Sequence, residues 1–223
     1  MNKTLSALVV HDIKNALALL EIDLEQLNHH VDIPPEGRRA YRRCIGLKNR
    51  MISFMTLYKY EQSGLNPMLV EVDLPEFIED LVLNSQSAMM AENHHGHPIV
   101  VRVAIERVKA DSDSGSVCLF DENLVEMAIE SALNNAVRYA RHRVELWFEQ
   151  YEDALAFKVL DDGVGVSEQM ELLHRNISEN SSSTGLGVAL CRAIAQAHGG
   201  GSVSLENADG GGALFTMELR HCR

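Results

Sequence analysis

The sequence predicts an α+β protein in two parts: an N-terminal helical hairpin that pairs with a second copy as a dimeric four-helix bundle, followed by an α/β sandwich. Apolar residues recur at intervals of three and four up to residue 58, the spacing of one helical face. Beyond residue 66, short β-branched or alternating stretches are interleaved with helical ones, which is typical of a sheet covered by helices.

The N-terminal part contains two helical stripes, one from Leu5 to Leu27 and one from Ala40 to Tyr58. A Pro-Pro pair and a glycine within residues 34–37 break the pattern between them. Neither helix can bury its stripe alone, so we expect two hairpins to close a bundle about a two-fold axis and form a homodimer. The segment QSGLNP (62–67) is interpreted as a linker, which gives domains 1–65 and 66–223.

The C-terminal part is predicted element by element from local patterns. Asp121 is expected to cap the longest helix, and Pro75 suits a first helical turn. The strands 143–150 and 154–162 are expected to pair as a hairpin. The full predicted order is strand 68–74, helix 74–92, strand 97–105, loop 109–116, helix 122–140, that hairpin, helix 185–198, and strands within 199–207 and 210–220.

Composition excludes several classes of protein. The net charge of −12 argues against a general nucleic-acid binder, which needs a basic face. The four cysteines are scattered without a CxxC pair, so a reducing cytoplasm is expected. No apolar run is long enough to span a bilayer, and the N-terminus does not resemble a signal peptide. We therefore expect a cytoplasmic chain that makes no membrane contact itself, either whole or as the inner part of a longer membrane protein.

The stretch VVHDIKNAL (9–17) places a reactive residue type on a helix. His11 lies opposite the apolar stripe, Asn15 stands beside it one turn later, and Asp12 lies on the flank. Helix geometry alone is equally compatible with an ordinary solvent-facing histidine.

Three further segments carry residue types that suit a nucleotide. In NNAVRYA (134–140), an asparagine can give Mg²⁺ a neutral oxygen ligand, and Arg138 can reach the same phosphates; the alternative is a polar helix surface. In VLDDGVGV (159–166), Asp161 ends a strand and can accept a hydrogen bond from an exocyclic amine, while glycines let a ligand approach; the alternative is an ordinary turn.

The third segment is STGLGVAL (183–190). Gly185 and Gly187 precede a helix whose N-terminal amides suit a phosphate, and Thr184 can cap the helix or touch that phosphate. The alternative is a glycine-containing helix start with no ligand.

Taken in order, these segments resemble the sensor histidine kinases of two-component signalling over nearly the whole chain. HDIKN resembles the H-box, NNAVRYA the N-box, DDGVG the first glycine box and TGLGVAL the second, and the HGG at 198–200 also fits. The resemblance implies a dimerisation and histidine-phosphotransfer domain followed by a Bergerat-type ATP-binding domain. It also implies ATP and Mg²⁺ as cofactors and a response-regulator receiver domain as partner.

The resemblance implies a role for each matching residue near the N-terminus. His11 is the expected phosphoacceptor, and Asp12 orients its ring and takes the proton from its other nitrogen. Asn15 stands where the family places a residue that positions water for dephosphorylating the regulator, so a bifunctional kinase and phosphatase is expected.

The resemblance also implies a nucleotide site. Asn135 is the expected Mg²⁺ ligand, Arg138 contacts phosphate, Tyr139 lies against the nucleotide and Asp161 reads the adenine amine. The residues expected to shape the pocket are Gly163, Gly165, Thr184, Gly185, Leu186 and Gly187, with a lid over 167–183.

The chain departs from the family pattern at several positions. Ser131 stands where many members carry asparagine, which implies weaker or water-mediated Mg²⁺ coordination. Ser183 replaces a glycine, Ala16 replaces a proline after the H-box, and the short lid has no clear phenylalanine box. The alternatives are therefore a histidine phosphotransfer protein with a weakened ATP site and a non-enzymatic docking dimer. The HHGHP segment (94–98) is interpreted as a polar loop in preference to a metal site.

Overall fold

The computed structural model describes residues 18–20, 22, 35–84, 97–109, 117–166 and 185–220. The chain separates into two compact units, Met1–Ser63 and Gly64–Arg223. The assignment of a separate activity to each unit stays a prediction.

The first unit is described mainly by one long helix. Helix α1 spans Pro35–Ser63, 29 residues that include the whole second predicted stripe. One side of α1 is buried at Tyr41, Cys44 and Ile45. Of the first predicted helix, residues 18–20 and 22 are helical, whereas His11, Asp12 and Asn15 lie outside the described residues.

In its described residues, the second unit combines seven strands with three α-helices. The helices are α2 (Leu74–Asn84), α3 (Glu122–Tyr139) and α4 (Leu186–Ala197). The strands are β1 (Val70–Asp73), β2 (Val100–Val103), β3 (Val117–Phe120), β4 (Arg143–Tyr151), β5 (Ala154–Asp161), β6 (Ser202–Asn207) and β7 (Ala213–Arg220).

The strands form two sheets. Strands β1 and β3 make a two-stranded antiparallel sheet. The larger sheet has the order β2-β4-β5-β7-β6, in which β2 runs parallel to β4 and the other pairs are antiparallel. The predicted α+β class is confirmed, and so is the pairing of β4 with β5 as a hairpin, whereas the parallel pair that makes the sheet mixed was not predicted.

Aromatic packing holds helix and sheet together around the strand that leads to the site. Phe77 of α2, Phe120 of β3 and Phe157 of β5 pack edge to face, with ring centroids 5.2, 5.7 and 5.9 Å apart. All three side chains are nearly or fully buried. Such aromatic pairs add to the stabilisation from burial. They pack β5, the strand that ends at Asp161, against α2 and β3.

Three predicted elements differ from the structure. The sequence analysis missed β3. Its four residues are too few to show either the alternating period of a strand or the 3.6-residue period of a helix. The predicted strand 97–105 is shorter, because the chain enters a 3-10 turn at Ile105–Arg107 that places the Arg107 guanidinium 5.0 Å from the Trp147 ring centre. Helix α2 is described to Asn84, and the rest of the predicted helix 74–92 lies outside the described residues.

Among the described residues, none of the helices has the length and apolar character needed to cross a membrane.

Candidate functional site

Helix α3 begins at the predicted cap and presents the polar segment 134–140. The Asp121 carboxylate accepts a hydrogen bond from the Leu124 N–H at 3.0 Å, as an N-cap residue does. One face of α3 is buried in the unit, and its members are Val125, Ala128, Ile129, Ala132, Leu133, Ala136 and Val137. Asn135 and Arg138 fall between these positions and are exposed, so they are available to a ligand.

At the C-terminus of α3, the charged side chain of Arg138 lies over the Tyr139 ring. The Arg138 guanidinium lies 5.5 Å from the centre of the Tyr139 ring. This places a positive charge and an aromatic surface side by side at the C-terminus of α3.

Asp161 is the last residue of β5. Its carboxylate is buried, and one of its oxygens, Oδ1, already accepts two hydrogen bonds. It is 6% exposed. Its Oδ1 accepts hydrogen bonds from the N–H groups of Gly163 at 2.8 Å and Ala213 at 3.3 Å. No described hydrogen bond goes to Oδ2, so this oxygen can accept one from a ligand. Burial raises the pKa of Asp161, the two backbone hydrogen bonds counter it, and the neighbouring Asp162 charge adds to the rise.

The first glycine segment needs its glycines for close approach. A Cβ on Gly163 would lie 2.4 Å from the Tyr139 carbonyl oxygen, so the strand end touches the C-terminus of α3 directly. Gly165 has φ +79°, and a Cβ there would lie 2.3 Å from the Asn207 Oδ1. Only glycine allows both approaches without a shift of the neighbouring atoms.

Asn207, at the end of β6, is a site residue that the sequence analysis missed. Its Oδ1 accepts from the Val166 N–H at 2.7 Å, and its Nδ2 donates to the Val166 carbonyl at 3.1 Å. The side chain therefore fixes the end of the glycine segment as a neighbouring strand would. An asparagine before a turn gives no local signal for such a contact, because its partner lies 41 residues away.

The second glycine segment lies beside the middle of α3. Gly185 caps α4 in the left-handed conformation with φ +57°, and Leu186 is the first helical residue. A Cβ on Gly187 would lie 2.6 Å from the Ser131 Oγ and 3.4 Å from the Asn135 Nδ2. Thr184 and Ser183, together with the predicted lid, lie outside the described residues.

Both glycine segments thus contact one helix. Gly163 touches its end at Tyr139, and Gly187 touches its middle at Ser131 and Asn135. At 1.5 Å per residue, these contacts are about 12 Å apart along the helix axis. The structure brings the three predicted segments together on a single elongated site.

His198, from the HGG motif, is a buried side chain whose ring contacts the start of α3 and the end of α4. It is 3% exposed. Its Nε2 accepts from the Asp121 N–H at 3.0 Å, and its Nδ1 lies 2.8 Å from the Ile194 carbonyl oxygen. Because the first partner can only donate and the second can only accept, the ring is neutral with its proton on Nδ1. The Asp121 carboxylate also accepts from the Met68 N–H at 2.8 Å.

This buried histidine should make stability fall on acidification. Burial lowers the pKa of His198, against opposing effects from Ile194 and Asp121, so below an ordinary histidine pKa of about 6.5 the unfolded chain binds the proton more readily. The stability that the neutral His198 ring gives the folded protein is present at neutral pH. It is lost as pH falls, at up to about 1.4 kcal/mol per pH unit. We expect His198→Gln to be less stable at pH 7 but to lose less between pH 7 and 5.5 in urea titrations. An equal slope in both proteins would contradict this assignment.

The site suits a purine nucleotide by the hydrogen-bonding groups that it offers. The free Oδ2 of the buried Asp161 matches an amine donor, and the N-terminus of α4 matches a phosphate group. Within the described ranges, no three His, Cys, Asp or Glu side chains converge on a metal site. A magnesium ion at Asn135 would therefore take most of its ligands from phosphates and water, which is usual for Mg²⁺.

Comparison with known proteins agrees with this geometry. Residues 120–222 match the family described as Histidine kinase-, DNA gyrase B-, and HSP90-like ATPase. The chain is 22% identical over 228 residues to the sensor protein KdpD of Clostridium acetobutylicum, covering 95% of this chain and 24% of that protein. It is 22% identical over 225 residues to the sensor-like histidine kinase SenX3 of Mycolicibacterium smegmatis, covering 95% and 55%. The chain therefore spans from about a quarter to about half of these relatives.

Solved structures share the fold. Full-length ShkA in complex with AMPPNP has a TM-score of 0.66 at 18% identity, covering 100% of this chain and 46% of that one. The Acinetobacter baumannii histidine kinase AdeS has a TM-score of 0.61 at 15% identity, covering 95% and 98%. The histidine kinase ThkA in complex with the response regulator TrrA has a TM-score of 0.54 at 14% identity, covering 98% and 61%.

The fold of this unit, and the glycine-lined site it carries, are similar to those of nucleotide-binding ATPase domains. Residues 120–222, just under half of the chain, match the model of the histidine kinase-, DNA gyrase B-, and HSP90-like ATPase family. The chain as a whole resembles sensor histidine kinases, which confirms the resemblance stated from its motifs.

Proposed function

We propose that the chain is an ATP-dependent protein histidine kinase that phosphorylates itself on His11 and passes the phosphoryl group to an aspartate of a response-regulator receiver domain. The observation that carries the proposal is the Asp161 carboxylate. Its Oδ1 is held by two backbone N–H groups and its Oδ2 is left for a donor, beside a glycine that touches α3. This arrangement is suited to the exocyclic amine of adenine.

The phosphates of ATP would extend from Asp161 along α3 towards Asn135. Arg138 would contact them, as would Thr184 and the amides at the start of α4. Mg²⁺, held through Asn135 and the phosphates, would neutralise charge on the transferring group. Gly187 keeps the start of α4 close to Asn135.

The chemical step is a displacement at the γ-phosphorus. A neutral nitrogen of His11 attacks, a P–N bond forms, and the P–O bond to the departing ADP breaks with its electron pair on the ADP oxygen. Asp12 orients the ring and takes the proton from the other ring nitrogen. Asn15, four residues further along the chain, would position water for removing the phosphoryl group from the regulator.

The described part of α1 supports a homodimer. Leu47 and Phe54 are seven residues apart on one helical face and are 51% and 47% exposed. Leu47 follows Cys44 by three residues, so this exposed face borders the buried side of the helix. A second hairpin packed on this face would bury it and complete a four-helix bundle. ThkA has been solved with a response regulator, which supports the proposed partner class.

The test is incubation of the purified chain with Mg²⁺ and γ-labelled ATP. We expect acid-labile, base-stable label on the protein, lost in His11→Ala and retained in His30→Ala, a matched histidine control in the same unit. Label that survives in His11→Ala would exclude that residue as the phosphoacceptor.

A histidine phosphotransfer protein is the second candidate, favoured by one observation. Ser131, whose Oγ lies against Gly187, stands where many family members carry asparagine, so one expected Mg²⁺ contact is missing. This candidate predicts no label from ATP, no measurable ATP binding, and label on His11 only after exposure to a phosphorylated receiver domain.

A further inference from the structure

The two adjacent carboxylates of the DDGVG segment bind to different parts of the unit. Asp161 turns towards Gly163 and β7, as described above. The Oδ1 of Asp162 accepts hydrogen bonds from three consecutive backbone N–H groups, those of Arg141 at 2.8 Å, His142 at 3.0 Å and Arg143 at 3.2 Å. Three convergent amides form a concave site for an anion, and here the anion is a side chain of the chain itself.

These amides belong to the turn that joins α3 to β4 and to the first residue of β4, Arg143. Backbone donors in a turn need partners outside the regular ladders, and Asp162 supplies one acceptor for all three. The His142 ring adds an Nδ1 contact to Oδ2 at 3.3 Å. Burial alone would raise the pKa of Asp162, but these hydrogen bonds lower it below its usual value, so the group is ionised at neutral pH.

The backbone of the next residue, Gly163, also contacts the end of α3. Gly163 lies so close to the Tyr139 carbonyl oxygen that a Cβ would be 2.4 Å away. The backbone of 161–163 is therefore bound to the end of α3 twice, through the Asp162 side chain and through the Gly163 backbone. Movement of the turn would move Arg138 and Tyr139 relative to Asp161.

We propose that Asp162 is a positioning residue for the nucleotide site, holding the turn 140–143 so that the C-terminus of α3 keeps its place beside Asp161. The inference rests on the proposed function, since it assigns Asp162 a part in binding ATP. Asp162 itself is not proposed to touch the nucleotide. Its effect passes through the backbone of the turn.

The test compares Asp162→Ala, Asp162→Asn and Glu152→Ala in the full chain. Glu152 is an exposed carboxylate in the turn at the other end of β4 and β5, and its removal should change nothing. We expect Asp162→Ala to raise the KM for ATP about 10-fold, with kcat at saturating ATP within about 3-fold, because misplacement of binding groups weakens binding of the folded protein. Asp162→Asn keeps an acceptor oxygen and should stay within about 3-fold of the wild type in KM.

Equilibrium binding of a fluorescent ATP analogue and thermal unfolding complete the test. A fall in Tm with unchanged KM and unchanged analogue affinity in Asp162→Ala would overturn the inference, because the residue would then be purely structural. Equal losses of ATP affinity in the Ala and Asn variants would also overturn it. Asn still offers an oxygen that accepts hydrogen bonds from the three amides, so those hydrogen bonds would not explain the losses. If the wild type itself bound no ATP, the proposed function would fail first. If Asp162→Ala does not fold, the Asn variant decides, and an Asn KM raised 10-fold or more would count against the inference.

Discussion

Asp161→Asn is expected to weaken ATP binding about 100-fold while making the nucleotide-free protein more stable. The amide keeps an oxygen that can accept from Gly163 and Ala213, so the local backbone hydrogen bonds survive. Its NH₂ group then faces the donor amine of adenine, and two donors cannot pair. An unsatisfied polar contact in a buried site costs about 2–3 kcal/mol, which corresponds to about a 100-fold loss of affinity.

The gain in stability follows from the direction of the pKa shift. Burial raises the pKa of Asp161 in the folded protein, so the folded state holds the proton more tightly than the unfolded chain does. This favours folding at low pH, and the contribution is lost as pH rises through the folded-state pKa. At pH 7 the buried carboxylate is therefore destabilising, and its neutral replacement should raise the free energy of unfolding by about 1 kcal/mol, or Tm by about 3 °C.

Calorimetric titration with ATP and thermal unfolding at pH 7 measure the two effects together. Asp209→Asn is the matched control, because Asp209 is an exposed aspartate in the turn between β6 and β7. It should leave both quantities unchanged. Asp161→Asn with wild-type ATP affinity would remove Asp161 from the nucleotide site, and a lowered Tm would show that its charge contributes to the fold.

Substitution of the three consecutive glycines before β7 should have graded effects on stability. A Cβ on Gly210 would meet no atom within 4 Å, so Gly210→Ala should be close to neutral. Gly211 has φ +88° with open space around it, and alanine there should cost about 1 kcal/mol of backbone strain. Gly212 has φ +87°, and a Cβ would lie 1.8 Å from the Asp161 carbonyl oxygen. Strain and clash together should cost about 3 kcal/mol or more.

The reason for the steep last step is the position of Gly212 beside the site. The next residue, Ala213, donates its N–H to the Asp161 carboxylate, so a displaced Gly212 would also move that donor. Urea unfolding of the three variants measures the series, and Gly210→Ala is its internal control. Equal free energies of unfolding for Gly211→Ala and Gly212→Ala would show that the close approach to Asp161 does not exist in solution.

Local sequence was sufficient for most of the regular structure of the second unit. The cap at Asp121 and the apolar spacing after it predict α3, and the structure confirms a helix over Glu122–Tyr139. The alternating pattern after residue 142 predicts the β4–β5 hairpin, also confirmed. These predictions succeed because helix caps, spacing and turns act through near neighbours in the chain.

Motif order similarly predicted which parts of the chain form the proposed nucleotide site. Asp161, Gly163, Gly187 and Asn135 were all chosen from sequence, and the structure brings them onto α3 from two sides. The role of each remains a proposal. His11, Asp12 and Asn15 lie outside the described residues, so their assignment rests on the motif alone.

Local patterns and motif order predicted the fold class, most of the elements and the segments of the candidate site, but not strand β3. Only the tertiary structure decided which side chains hold those segments in place: Asn207 on Val166, Asp162 on the turn after α3, and His198 on Asp121. The physical reason is distance along the chain. These partners lie between 19 and 77 residues apart, and sheet order and helix packing bring them together, which no local pattern records.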